Sequence, residues 1–280
     1  MSESNISPLT AQDGTNLVVV DWPLERGPVR GVVLIVHGLG EHAWRYNHVA
    51  ERLNSWGFAV RAYDQYGHGD SMGQRGALPS DNRLLSDLGE VVDESRERMN
   101  EHTPLIVLGH SMGGLVAAHF VSLGKRPLQG LVLSSPALDL GLGLFQKLLM
   151  AVLPRIAPDL RVSNGLNANY ISHDPAVVAA YNADPLVHDR ISARLGSFMA
   201  KSGPATIAAA SKWSVPTLLM YAGQDKLVSP RGSMAFSKAA PKSAVTTRCF
   251  EALYHEIFNE LPADREAVFA ELKKWLDQRF

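Results

Sequence analysis

One cysteine in 280 residues, Cys249, cannot close a disulfide within the chain, and no cluster of cysteine and histidine has the spacing of a zinc site. Redox and structural-metal roles drop out. No excess of positive charge exists either: 27 basic residues stand against 28 acidic ones, a formal net charge of -1, so a nucleic-acid backbone finds nothing to neutralise it. Long apolar runs are missing as well. The richest stretch, Gly130 to Pro154, is interrupted by Asp139, Gln146 and Lys147 and falls short of the ~20 apolar residues a membrane span needs. Met1 to Leu17 contains Glu3 and Asp13 and lacks a basic start followed by an apolar stretch, so it does not look like a signal peptide. The chain reads as soluble and cytoplasmic. No internal repeat, low-complexity tract or Pro/Ser-rich linker divides it.

What is present is the composition of an ordinary globular protein, 46% hydrophobic and 20% charged. Short β-rich runs recur along it: Leu17 to Val20, Val32 to Val36, Phe58 to Tyr63, Leu105 to Leu108, Leu131 to Leu133, Thr217 to Tyr221 and Val245 to Phe250. Between them lie segments of helical periodicity, such as Leu84, Leu85, Leu88, Val91, Val92 and Met99, or Val268, Phe269, Leu272, Trp275 and Leu276. Strands alternating with helices predict an α/β protein, a mostly parallel sheet flanked by helices. Leu138 to Trp213 breaks the alternation, with short helical candidates and no convincing strand. The expected organisation is a core over 1–137 and 214–280, with a helical insertion over 138–213.

The chemically informative stretch is Leu105 to Leu115, where an apolar strand leads through Gly109-His110-Ser111-Met112-Gly113 into a helix. A serine at so tight a turn is held in a strained backbone conformation that presents its hydroxyl, and its neighbours two residues away must be small. Gly69-Asp70-Ser71-Met72-Gly73 has the same pattern but follows no strand and continues into no helix, so Ser71 reads as a loop residue. Ser111 is the expected nucleophile.

A serine hydroxyl needs an imidazole to take its proton, and the imidazole needs a carboxylate to hold it. After the Thr217 to Tyr221 strand comes Asp225, and after Val245 to Phe250 comes His255, giving the order Ser, Asp, His. Asp139 is a rival for the acid, and His110 and His119 for the base. His110 is expected to point away from the serine, His119 to pack within its helix, and His37, His42 and His68 to shape loops. Two amides should bind the developing oxyanion: Met112 N–H after the nucleophile, and Leu39 N–H in His37-Gly38-Leu39-Gly40, the turn after Val32 to Val36.

With these residues in hand, the chain resembles the α/β-hydrolase superfamily, and within it the monoacylglycerol lipase and lysophospholipase group. The resemblance rests on His37 to His42 with Arg45-Tyr46, on Asp64-Gln65 with Gly67 to Ser71, on Gly109 to Gly114, on Tyr181 to Leu186 and on Tyr254-His255. It implies Ser111, Asp225 and His255 as a triad, Leu39 and Met112 as oxyanion donors, and the insertion as a cap over an acyl pocket. No cofactor or metal is expected. Animal members carry cysteines around the pocket; here Val228 stands soon after the acid and the single thiol is remote in sequence.

The expected activity is hydrolysis of lipid-like carboxylic esters, monoacylglycerols first. Leu142, Phe145, Leu149, Tyr181 and Val228 are the expected substrate contacts, and the apolar cap leaves room for contact with a membrane surface. The same triad also serves a lysophospholipase, a short-chain or polyester-oligomer esterase, a peptidase or a carbon-carbon bond hydrolase. A non-catalytic binding protein on this scaffold is the reading from a different class.

Overall fold

The computed structural model describes residues 4–24 and 26–280; the side chains of residues 144, 145 and 147–150, and with them the expected contacts Phe145 and Leu149, lie outside the described residues. In chain order come β1 (Asn5–Thr10), β2 (Asn16–Trp22), β3 (Gly31–Val36), α1 (Asn47–Ser55), β4 (Phe58–Tyr63) and α2 (Arg83–Glu97). Then follow β5 (Leu105–His110), α3 (Ser111–Ser122), β6 (Gly130–Ser134), α4 (Leu144–Ile156), β7 (Arg161–Ser163), α5 (Pro175–Ala183), β8 (Arg190–Ser192) and α6 (Ala193–Ala209). The chain finishes with β9 (Thr217–Ala222), α7 (Pro230–Ala239), β10 (Val245–Phe250) and α8 (Pro262–Asp277).

Eight strands form one sheet in the order β1-β2-β4-β3-β5-β6-β9-β10, parallel from β4 to β10 and antiparallel at β1-β2 and β2-β4. Parallel strands buried on both faces read as continuous apolar runs, and alternate residues serve opposite cores. In β3, Leu34 and Val36 join one core while Val33 and Ile35 join the other; in β5, Leu105 and Val107 are set against Ile106 and Leu108 in the same way. α2, α3, α6 and α7 cover the first face, and α1 and α8 the second. The expected stripes are buried, Leu84, Leu85, Leu88, Val91 and Val92 on α2 and Val268, Phe269, Leu272, Trp275 and Leu276 on α8, except that Met99 lies beyond the end of α2 and is only partly buried.

Two expectations need correction. The insertion is not free of strand, since β7 and β8 pair antiparallel within it. Each is three residues long, too short for a period of two to show. β1 was also missed, because Asn-Ile-Ser-Pro-Leu-Thr is a mostly exposed edge strand in which Pro8 costs no ladder bond on the outer side. The insertion also supplies core: Leu195, Phe198 and Met199 of α6 are buried against the first face.

Candidate active site

β5 passes directly into α3 at Ser111, whose φ of 53° lies in the left-handed region that a β-carbon disfavours. Close packing holds it there. A β-carbon on Gly109 would sit 2.5 Å from Gly113 O, and one on Gly113 would sit 2.1 Å from Val36 O. The glycines on either side of the serine are therefore demanded by the approach of α3 to the end of β3. Among the other described non-glycine residues, Ser135 at the end of β6 alone shares this region, at φ 42°. Ser71, by contrast, spends its hydroxyl on the frame: it donates to Asp64 O at 2.6 Å and accepts from Val18 N–H at 2.8 Å.

Asp225 and His255, on the turns after β9 and β10, meet. His255 Nδ1 lies 2.6 Å from Asp225 Oδ2, and the other carboxylate oxygen accepts the amides of Leu227 and Val228 at 2.9 and 3.0 Å. Burial opposes the charge on Asp225, but the His255 ring and these two amides outweigh it and hold the carboxyl below its usual range. An ionised carboxylate only accepts, so Nδ1 carries the proton and Nε2 keeps its lone pair. Burial likewise opposes charge on His255, and Asp225 outweighs it, raising the imidazole above its ordinary value. Ser111 Oγ makes no hydrogen bond to the ring among the described residues.

The turn after β3 closes on the serine. A β-carbon on Gly38 would lie 3.2 Å from Ser111 Cβ. Gln65 N–H donates to His37 Nε2 at 2.9 Å, so His37 Nδ1 carries the proton and donates to Gly38 O at 2.7 Å. That bond orients the rigid peptide plane whose other end is Leu39 N–H. Neither the Leu39 nor the Met112 amide donates to another described group. Two free amides, one at a helix N-terminus, are what an oxyanion site requires.

The rival residues are otherwise employed. His119 contacts Thr206 and Ser122 through Nδ1, and Asp139 Oδ1 accepts Gly141 N–H at 2.9 Å. His110 bonds Ser134 Oγ at 3.0 Å, and its ring centroid lies 4.8 Å from that of His255. His42 Nε2 contacts Asp184 at 2.8 Å, and His68 packs between His37 and His188.

Sequence reasoning missed one arrangement. Glu41, Arg45 and Glu256 form a buried ion triad: Arg45 bonds Glu41 at 2.5 Å and grips Glu256 with two contacts of 2.8 and 2.7 Å. Glu41 also accepts Gly38 N–H at 2.5 Å and Tyr46 OH at 2.7 Å. Burial would push the Glu41 carboxyl up, but Arg45 pulls it down to about 2. The i, i+4 spacing of Glu41 and Arg45 was legible; their partner across the sequence was not.

Leu142 lines a cavity of about 330 Å³ with Leu138, Leu140, Ser197, Met199 and Pro204. This cavity starts one residue beyond Ala137, whose amide donates to Ser111 O at 2.9 Å. Tyr181 lines a second hollow of about 210 Å³ with Asn182, Asp184, His188, Asp189 and Leu227. Val228 is buried beside Asp225 and contributes its amide. Among the described residues no group of three or more His, Cys, Asp or Glu side chains is arranged to hold a metal ion.

A strained serine between strand and helix, on a mostly parallel sheet with an Asp–His pair beyond later strands, defines an α/β hydrolase. The chain belongs to the family described as serine aminopeptidase, S33, whose model matches residues 27–262. It is similar to the monoacylglycerol lipase of Mycolicibacterium smegmatis, at 35% identity over 94% of this chain and 93% of the relative. Phospholipase YtpA of Bacillus subtilis is 33% identical over 92% of this chain and 98% of its own. The crystal structure of the Paleococcus ferrophilus monoacylglycerol lipase superposes with a TM-score of 0.82 at 32% identity, covering 99% of this chain and all of that one.

Proposed function

We propose that this protein is a serine hydrolase of lipid-like carboxylic esters, with monoacylglycerols as the favoured substrates. Ser111 Oγ attacks the acyl carbonyl as its proton passes to Nε2 of His255, and Asp225 holds the imidazole and its charged form. The Leu39 and Met112 amides receive the oxyanion. The leaving alcohol takes the proton from His255, and water then repeats the attack on the acyl-enzyme. The strained φ of Ser111 carries this reading, because nothing in the packing of β5 or α3 gains from a left-handed serine, whereas presenting a hydroxyl does.

Segment 138–213 serves as a cap. Its cavity of about 330 Å³ takes the acyl chain, each buried CH₂ gaining about 0.8 kcal/mol. Val152, Ile156, Leu160, Val162 and Leu166 are exposed on it beside Arg155 and Arg161, a surface suited to contact with a lipid interface. No helix of the described residues is long and apolar enough to cross a membrane.

The phospholipase relative favours a second reading, hydrolysis of lysophospholipids by the same triad. Asp184 and Asp189 in the second hollow weigh against it, since carboxylates repel a phosphate head group and suit a neutral polyol. Turnover against short nitrophenyl esters, long-chain monoacylglycerols and lysophospholipids separates these readings. Rates that favour long monoacylglycerols support the first; reaction of only the shortest esters removes the lipid assignment; and unchanged hydrolysis by Ser111→Ala removes the serine mechanism.

A further inference from the structure

The Glu41–Arg45–Glu256 triad joins three separate parts of the chain. Glu41 accepts the amide of Gly38, so it anchors the turn that carries Leu39 N–H. Glu256 follows His255 directly, and its own amide donates to Ile171 O at 2.8 Å, in the inserted segment. Arg45 bridges the two carboxylates and lies 4.8 Å beneath the Tyr181 ring of α5. The side chains of Glu41, Arg45 and Glu256 are 4%, 10% and 7% exposed, so water does little to screen them.

Burying an ion triad is a poor way to gain stability, because the desolvation of three charges consumes most of the attraction among them. A function therefore has to be sought in what the triad positions and what field it makes. Two carboxylates and one guanidinium sum to one net negative charge, held near the His255 ring. The groups acting on that ring are Asp225 beyond β9, His110 at the end of β5, and Glu256 and Glu41, which Arg45 bridges; Tyr46 OH bonds Glu41. Asp225 touches the imidazole, and the triad's carboxylates act on it through Glu256, the next residue in the chain, and through Glu41 on the turn after β3.

Resting on the serine-hydrolase reading above, we infer that Arg45 and Glu256 are positioning residues for the reaction. The Arg45 fork locks the oxyanion turn and the His255 loop in one register, and the triad's net negative charge supports the imidazolium that forms in the transition state. Neither contribution is a contact with bound substrate, so its loss falls on kcat and leaves KM in place. The direction of the His255 shift agrees, since the carboxylates of Glu256 and Glu41 add to that of Asp225 in raising the ring.

Arg45→Lys keeps the charge but loses the two-pronged grip. It should lower kcat about 100-fold, the cost of misplacing a reacting group by roughly an ångström, with KM and the acid limb of the pH profile unmoved. Glu256→Gln keeps the shape and loses the charge. It should shift the acid limb of kcat/KM to lower pH, because His255 then gives up its proton more readily. Should Glu256→Gln fail to fold, Arg45→Lys carries the test through its split of kcat from KM. Unchanged kcat in Arg45→Lys, or an unshifted acid limb in folded Glu256→Gln, overturns the inference and leaves the triad structural. Ser111→Ala run alongside keeps the outcomes distinct. Activity in that variant defeats the serine mechanism, whereas an inactive Ser111→Ala beside a fully active Arg45→Lys defeats only the role of Arg45.

Discussion

The imidazole rings of His110 and His255 lie 4.8 Å apart, yet their surroundings drive their basicities in opposite directions. His255 has a carboxylate on Nδ1 and is raised above its ordinary value despite burial. His110 has only a hydroxyl; burial, and then repulsion from a charged His255, brings it down to about 4. Of the two, one alone can take up a proton near neutrality.

The pH profile follows from that contrast. In the proposed mechanism Ser111 is activated only while His255 is unprotonated, so the acid limb of kcat/KM should lie above pH 6.5, the ordinary imidazole value, with activity rising toward alkaline pH. Asp225→Asn removes the carboxylate that raises the ring and sets its tautomer. That variant should lose about 10⁴-fold in kcat and move the limb downward. A limb that stays put would show that Asp225 does not set the basicity of His255.

Strain at Ser111 gives a second test. Glycine adopts a φ of 53° without steric cost whereas alanine, like serine, is strained there, so Ser111→Gly should be more stable than Ser111→Ala by about 1 kcal/mol, with both inactive. Denaturant midpoints of the two variants measure the difference. Equal midpoints would mean that the turn relaxes at no cost.

Histidines buried in the neutral form make stability fall between pH 6.5 and about 4. Burial, reinforced by Arg75, holds His188 down at about 4, and burial also lowers His68 and His37. In the unfolded chain these rings titrate near 6.5. Above that pH neither state binds the proton; below it the unfolded chain does and the folded chain does not. The contribution of these three rings is therefore full above about pH 6.5 and is lost as pH drops toward 4. His188→Gln should make the decline of the melting temperature between those values shallower, and an unaltered slope would remove His188 from the account.

Filling the larger cavity tests its assignment to the acyl chain. Leu142→Trp should depress turnover of long-chain monoacylglycerols by about tenfold or more while short nitrophenyl esters react at close to the original rate. Equal losses on both would place the acyl chain elsewhere.

Most of the parallel sheet was legible because a strand buried on both faces has to be apolar throughout, as Val32 to Val36 and Leu105 to Leu108 are. The turn at Ser111 was legible for a local reason too: Gly109 and Gly113 are dictated by backbone approaches within a few residues and at the end of the neighbouring strand. β1, β7 and β8 were not, since short exposed strands acquire their identity from a partner and not from their own pattern. Tyr181 was expected against substrate; its ring also covers the Arg45 guanidinium, a contact that no spacing announces.

What depends on residue type and order was legible in the sequence alone: a serine with glycines two residues to either side between strand and helix, then an aspartate and a histidine each beyond a later strand. Tertiary structure decided which charges meet. Arg45 and Glu256 are 211 residues apart, and only the placement of the β3 and β10 turns at one edge of the sheet brings them within 2.7 Å in a setting dry enough for a single net charge to matter.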